Sequence, residues 1–172
     1  NDVDAMTAIS LRTIFVSVAN YRDPECQPTI ISLLEQATYP ERIRVAFIDQ
    51  IDVAAVDDHD TMVRRCHVPN RSCQEDPNQV LCRFQHLIGV YEAPSFLMVG
   101  PVLARHIAHR MYRGEYFALQ IDSHVRFTQN WDKNIKDQWD ATHNEMAVLS
   151  TYMSDIENSI DPYSHQSIRS DR

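Results

Sequence analysis

A chain of 172 residues with 44% hydrophobic content is long enough for one globular domain with a sizeable core, and it gives no sign of a second. A formal charge of -8, from 24 acidic against 16 basic side chains, works against a partner coated in phosphate, so the composition argues against DNA and RNA as main ligands. No apolar run reaches the roughly 18 residues of a membrane-spanning helix, and no signal-like segment precedes a small-residue cleavage site; the chain opens on Asn1 and leaves open what could precede it.

In chain order, the first element is Leu11 to Ala19, "LRTIFVSVA", a β-branched and apolar run that ends at the polar "NYRD" and reads as a buried strand entering a loop. Asp23 then reads as a helix N-cap and Pro24 as the first helical residue. Ile30, Ile31, Leu33, Leu34 and Ala37 follow at helical spacing until "TYPER" breaks the pattern. "IRVAFID", Ile43 to Asp49, is a second strand. This order implies a parallel pair joined by a right-handed crossover, the opening of a doubly wound α/β sheet.

Two loop-like stretches, "DQIDVAAVDDHDTM" and "VPNRSCQEDPNQ", surround a short segment "VRRCHV". Within the first, Asp57 to Asp60 has the composition of a cation loop but lacks a turn glycine, so it reads as solvated surface. "RFQHLIGVYEA" follows as a strand with its exit loop, and Gly100 to Arg113 has helical spacing in Val102, Leu103, Ile107 and Met111. His106 and His109 lie three apart on that helix without an accompanying carboxylate, a weak metal pair. "YFALQIDSHVRF", Tyr116 to Phe127, is a strand that delivers Asp122, Ser123 and His124 to its end. A helix with Ile135 and Trp139 at i, i+4 comes next, Trp131 and Trp139 reading as core, and Met146 to Met153 returns as a strand. With no repeats, low-complexity tract or linker, residues 1–172 read as a single domain. Cys26, Cys66, Cys73 and Cys82 contain no C-x-x-C, which leaves buried thiols or one disulfide among the last three, with structural zinc a lesser alternative.

The strand end carries the chemistry. In open parallel sheets ligands gather at the carboxyl ends of strands, and residues two apart on extended backbone point to one side, so Asp122 and His124 could share a metal while Ser123 faces away. A hard divalent cation held by so few protein groups completes its shell with water and ligand phosphates. The alternative is that Asp122 caps a loop and His124 is a satisfied polar residue.

Two motifs in order, "IFVSVANYRDPECQPTI" and "GPVLARHIAHRMYRGEYFALQIDSHVRFTQNWD", resemble the polypeptide N-acetylglucosaminyltransferase family, which includes the enzyme that modifies hydroxyproline on the Skp1 ubiquitin-ligase subunit. The resemblance runs from about Thr13 to about Tyr152; polypeptide N-acetylgalactosaminyltransferases, which also use a "DSH" element, are more distant. It implies an α/β fold of the GT-A type, a doubly wound and mostly parallel sheet flanked by helices, incomplete at its C-terminal side because similar enzymes draw a third metal ligand, usually histidine, and an acceptor groove from later sequence. His165 does not match that distal motif.

The resemblance further implies a retaining, metal-dependent transfer of N-acetylglucosamine from UDP-GlcNAc to a polypeptide hydroxyl. Asp122 and His124 would hold Mn²⁺ or Mg²⁺ against the diphosphate, and Arg105 would lie near the donor, with a surface ion pair as its plain alternative. Tyr21 and Arg22 leave the first strand where such folds receive the nucleoside, and Asp49 could accept from uracil or ribose, or else cap its loop. Alternatives are a sugar-nucleotide or protein-binding module without turnover, or use of another donor such as UDP-GalNAc. An acceptor of the Skp1 type would place the enzyme in the cytoplasm.

Overall fold

The computed structural model describes residues 11–51, 65–151, 159–161 and 163–166. Strand β1 (Ile14–Tyr21) is followed by helix α1 (Cys26–Glu35) and strand β2 (Ile43–Ile51). A single helical turn, α2 (Val80–Arg83), leads to strand β3 (Ile88–Pro94), then helix α3 (Gly100–His109), strand β4 (Phe117–Asp122) and helix α4 (Trp131–Ala141). The strands form one sheet in the order β3-β2-β1-β4, and every pairing in it is parallel. The doubly wound α/β expectation therefore holds.

Alternate residues of β1 explain why its sequence is apolar throughout. Ile14, Val16 and Val18 pack with Ile30, Leu33 and Leu34 of α1 on one side of the sheet. Phe15, with Ala46 and Ile48 of β2, packs on the other side against Ala104 and Ala108 of α3. A strand covered on both faces needs an unbroken apolar run instead of alternation. Gly89 serves the same packing, because a Cβ there would stand 2.7 Å from the Met111 methyl carbon.

Several boundaries differ from the sequence expectation. The first helix starts at Cys26 with Glu25 as its N-cap, so Asp23 is not the cap; its Oδ1 instead accepts from the Glu25 N–H at 2.9 Å. Residues 146–151 form a turn and irregular chain in place of the expected strand, and the Trp139 indole N–H donates to the Ala147 carbonyl at 3.1 Å. Val102 lies on the exposed side of α3, where the small Ala104 and Ala108 make the close contact with the sheet. The Asp57–Asp60 run lies outside the described residues. The cysteines form two disulfides, Cys26–Cys66 and Cys73–Cys82, so Cys26 is drawn into a bridge that its position far upstream in the chain did not suggest.

The start of β4 is fixed by charge. Arg44 of β2 donates through Nε to the Glu115 carboxylate and through Nη2 to the Met111 carbonyl, while the Arg113 N–H donates to Glu115 at 2.9 Å. Burial acts to raise the Glu115 carboxyl, but the Arg113 N–H and the Arg44 guanidinium outweigh it and hold it below the ordinary carboxylate range. A depressed folded-state value means that the stabilisation is complete above the ordinary value and is lost as pH falls through the folded one. Glu115→Gln should therefore be less stable than the parent at neutral pH, with the difference shrinking below about pH 4.5; urea titrations across pH check this.

Candidate functional site

The strand order sets the location. The chain steps outward from β1 through β2 to β3, then returns to the other side of β1 for β4, so the switch point lies between β1 and β4. Ligands of open α/β sheets bind in the crevice outside the carboxyl ends at such a point. Here that crevice is formed by Tyr21 to Asp23 after β1 and Asp122 to His124 at the end of β4, with Ala19 opposite Asp122 in the register.

Asp122 and His124 are exposed while Ser123 between them is buried. Each has a partner of its own. Arg105, reaching from α3, donates to Asp122 Oδ1 at 2.8 Å. His124 Nδ1 lies 2.7 Å from Asp23 Oδ2, and the Ser123 hydroxyl donates to the same oxygen at 3.2 Å. Burial acts to raise the Asp23 carboxyl, but the Glu25 N–H, His124 and Ser123 together pull it below its ordinary value. Among the described residues no group of three or more His, Cys, Asp and Glu side chains forms a cation cage.

This arrangement fits a divalent ion. With Asp23 accepting from Nδ1–H, the His124 lone pair is on Nε2, the tautomer and orientation that a carboxylate imposes on a metal-ligating histidine. The Asp122 carboxylate is 59% exposed, leaving it accessible beside Arg105. A hard cation held by one carboxylate and one imidazole would complete its shell with water and phosphate oxygens.

The crevice is secured from below by Thr29, a fully buried residue of α1. Its hydroxyl donates to the Ser123 carbonyl at 2.8 Å and accepts from the Val125 N–H at 3.0 Å, stitching the helix to the segment after β4. Thr29→Val keeps the shape and strands both backbone groups. It should lower stability by about 1–3 kcal/mol, read from chemical denaturation; an unchanged midpoint would show that water replaces the hydroxyl.

At the ends of β1 and β2 a polar pair is buried. Asn20 and Asp49 stand opposite each other in the register, and Asn20 Nδ2 donates to Asp49 Oδ1 at 2.9 Å. Both are 3% exposed, and Asn20 Oδ1 and Asp49 Oδ2 have no hydrogen-bond partner among the described residues. Burial pushes the Asp49 carboxyl up, against the opposing pull of Asn20, His67 and the Cys66 N–H. Such orphaned acceptors are uncommon in folded proteins. Tyr21 is exposed, and the Arg22 guanidinium lies 5.4 Å from its ring centre, with Arg22 in the left-handed region at φ +51°.

The structure thus gathers Asp122, His124 and Arg105 at one crevice, with Asp49 beneath the neighbouring strand ends. His106 and His109 are both exposed on α3, and His165 lines a separate cleft beside Gln27, Ile31 and Phe127. Sequence reading missed Asn20, Ser123, Cys66 and the role of Asp23. Asn20 was detectable as the polar residue closing an apolar strand; Asp23 was concealed by its resemblance to a helix cap.

A parallel sheet with polar side chains concentrated at its switch point defines the class: an open α/β domain whose ligand crevice lies across its strand ends. Residues 13–166 match the family described as "Glycosyltransferase (GlcNAc)", and the chain belongs to it. The crystal structure of S. aureus TarS 1-349 is similar at a TM-score of 0.50 and 18% identity, over 76% of this chain and 33% of that one. The likeness shows the fold, the GT-A-like sheet expected from sequence. This chain spans about a third of that solved chain. No curated protein sequence matches the chain significantly.

Proposed function

We propose that this chain binds the donor in an N-acetylglucosaminyltransferase that moves GlcNAc from UDP-GlcNAc to a polypeptide hydroxyl, such as hydroxyproline of a Skp1-type acceptor, with retention. The observation that supports it best is the gathering of Asp122, His124 and Arg105 at the β1/β4 switch point, beside the buried acceptors of Asn20 and Asp49.

Each group has a matching task. Asn20 Oδ1 and Asp49 Oδ2 are acceptors in need of donors, which suits the imide N–H of uracil or a ribose hydroxyl. Tyr21 and Arg22 follow Asn20 directly at the end of β1. Arg105 places a permanent positive charge where the diphosphate would lie. Asp122 and His124 would hold Mn²⁺ or Mg²⁺, which when bound neutralises charge developing on the UDP leaving group. Asp23 keeps His124 in the required tautomer. In a retaining transfer of this kind the departing phosphate oxygen takes the acceptor proton, so no general base is required of these residues.

UDP should bind more tightly in Mn²⁺ than in excess chelator by calorimetry, and equal affinity would sink the metal assignment. His124→Ala should weaken Mn²⁺-dependent UDP binding at least about tenfold, equivalent to about 1.4 kcal/mol. Because Asp23 faces His124 at 2.7 Å, His124→Asp alone would set two carboxylates together. The informative rescue is Asp23→Asn with His124→Asp, which supplies an oxygen ligand without that repulsion. Because protons compete with a metal for an imidazole ligand, the metal-dependent affinity of the parent should weaken on acidification, and the rescued double variant should lose that dependence. UDP-GlcNAc binding without transfer to hydroxyl-bearing peptides would instead favour a binding module.

A further inference from the structure

The Cys26–Cys66 disulfide joins the first turn of α1 to a segment that crosses the carboxyl ends of β1 and β2. Both sulfurs belong to buried residues, and the bridge spans 40 positions in sequence. What it delivers is specific. The Cys66 N–H points at the Asp49 carboxylate, and Asn20 Nδ2, already bonded to Asp49 Oδ1, also lies 3.3 Å from Cys66 Sγ. One residue on, His67 faces Asp49, with its Nδ1 buried and lacking a partner among the described residues. Gln27 of α1 adds a second tether, donating to the Val68 carbonyl at 2.6 Å.

A bridge that merely shortened the unfolded chain could sit anywhere. This one closes on the buried Asn20–Asp49 pair, whose two acceptors lack partners among the described residues. We infer that Cys66, held by its disulfide to Cys26, is a positioning residue for the Asp49 carboxylate, so that sugar-nucleotide binding depends on the oxidised state of this one bridge. The second half of that statement rests on the donor-site reading above; the first does not.

The charge arithmetic follows from the neighbours. Asp49 is faced by Asn20 on β1, by Glu92 on β3, and by the Cys66 N–H and His67 on the tethered segment. Glu92 in turn pairs with Arg65 at 2.7 Å. The Cys66 N–H and His67 both favour the ionised carboxylate, whereas burial and Glu92 oppose it. Reduction adds two electrons and two protons to the bridge, giving two thiols while a dithiol reductant is oxidised to its own disulfide. The segment then loses its anchor, its donors withdraw and water reaches Asp49 in their place, so the titration of Asp49 moves.

The test compares parent protein with Cys26→Ser/Cys66→Ser, using Cys73→Ser/Cys82→Ser as control, because the second bridge closes a loop of its own nine residues apart in sequence. The Asp49 carboxyl is titrated by carbon NMR, a readout that needs no ligand, and UDP affinity is measured by calorimetry. In the Cys26/Cys66 pair the Asp49 titration should move away from that of the parent and UDP should bind at least about tenfold more weakly; in the control pair both should match the parent, although either pair lowers the melting temperature. An unmoved titration in Cys26→Ser/Cys66→Ser would overturn the inference and leave the bridge a plain staple. Should that pair fail to fold, the Cys73→Ser/Cys82→Ser protein titrated with and without a dithiol reductant isolates the same bridge, and an unshifted Asp49 after its reduction counts equally against the inference. A shifted titration with no UDP binding even by the parent would sustain the positioning role and sink the donor-site reading instead.

Discussion

The reversal of strand order at β1 is the constraint on which the remaining geometry depends. Because β2 and β4 both run parallel to β1, on opposite sides of it, two loops must diverge from neighbouring strand ends and leave a crevice between them. Nothing else brings residues 23 and 124 together, about a hundred positions apart in sequence. The unbroken apolar run of β1 holds this in place, since a slip of one residue would turn each buried side chain to the opposite layer of the sheet.

Within the crevice the Asp23 carboxylate joins the two loops, with the Arg126–Glu25 ion pair beside it. One Asp23 oxygen accepts from the Glu25 N–H ahead of α1 and the other receives Ser123 and His124 from the far strand, so the geometry of the β1 loop is read out directly at the imidazole. Thr29 repeats the link one layer deeper through backbone groups. The consequence is a site whose exposed members, Asp122 and His124, stand on a buried and fully bonded base. Side chains that are accessible yet fixed suit a ligand with fixed geometry, as a diphosphate with a cation has.

Much of this was legible from sequence because the strands are unusually continuous in apolar residues and because "IDSH" ends one of them. The β-α-β opening and the sheet class followed from periodicity and the family motifs, whereas the contact Arg105 makes, an ion pair with Asp122, is the plain alternative for it. What was hidden depended on tertiary pairing. Asp23 carries both the signature of a helix cap and the geometry of a cross-strand acceptor, and local sequence cannot choose between them. The Met146–Met153 run has strand composition, yet the Trp139 indole captures a carbonyl that a ladder would need. Cysteine spacing cannot fix connectivity, so the bridge from Cys26 to Cys66 required the fold.

The pairing of Asn20 with Asp49 shows how stability and binding are balanced at these strand ends. Each orphaned acceptor costs the fold about 1–3 kcal/mol relative to a satisfied one, and a core packed on both sides of the sheet offsets that cost. Replacing Asp49 by an apolar residue of similar size would remove an unsatisfied atom, so its presence is hard to explain by folding alone. The same two oxygens become favourable when a ligand brings N–H or O–H donors to them. A disulfide fixes the segment that overlies these acceptors. The bridge, the buried pair and the open crevice are therefore parts of one arrangement, in which unsatisfied polarity is kept in place for a partner of complementary chemistry.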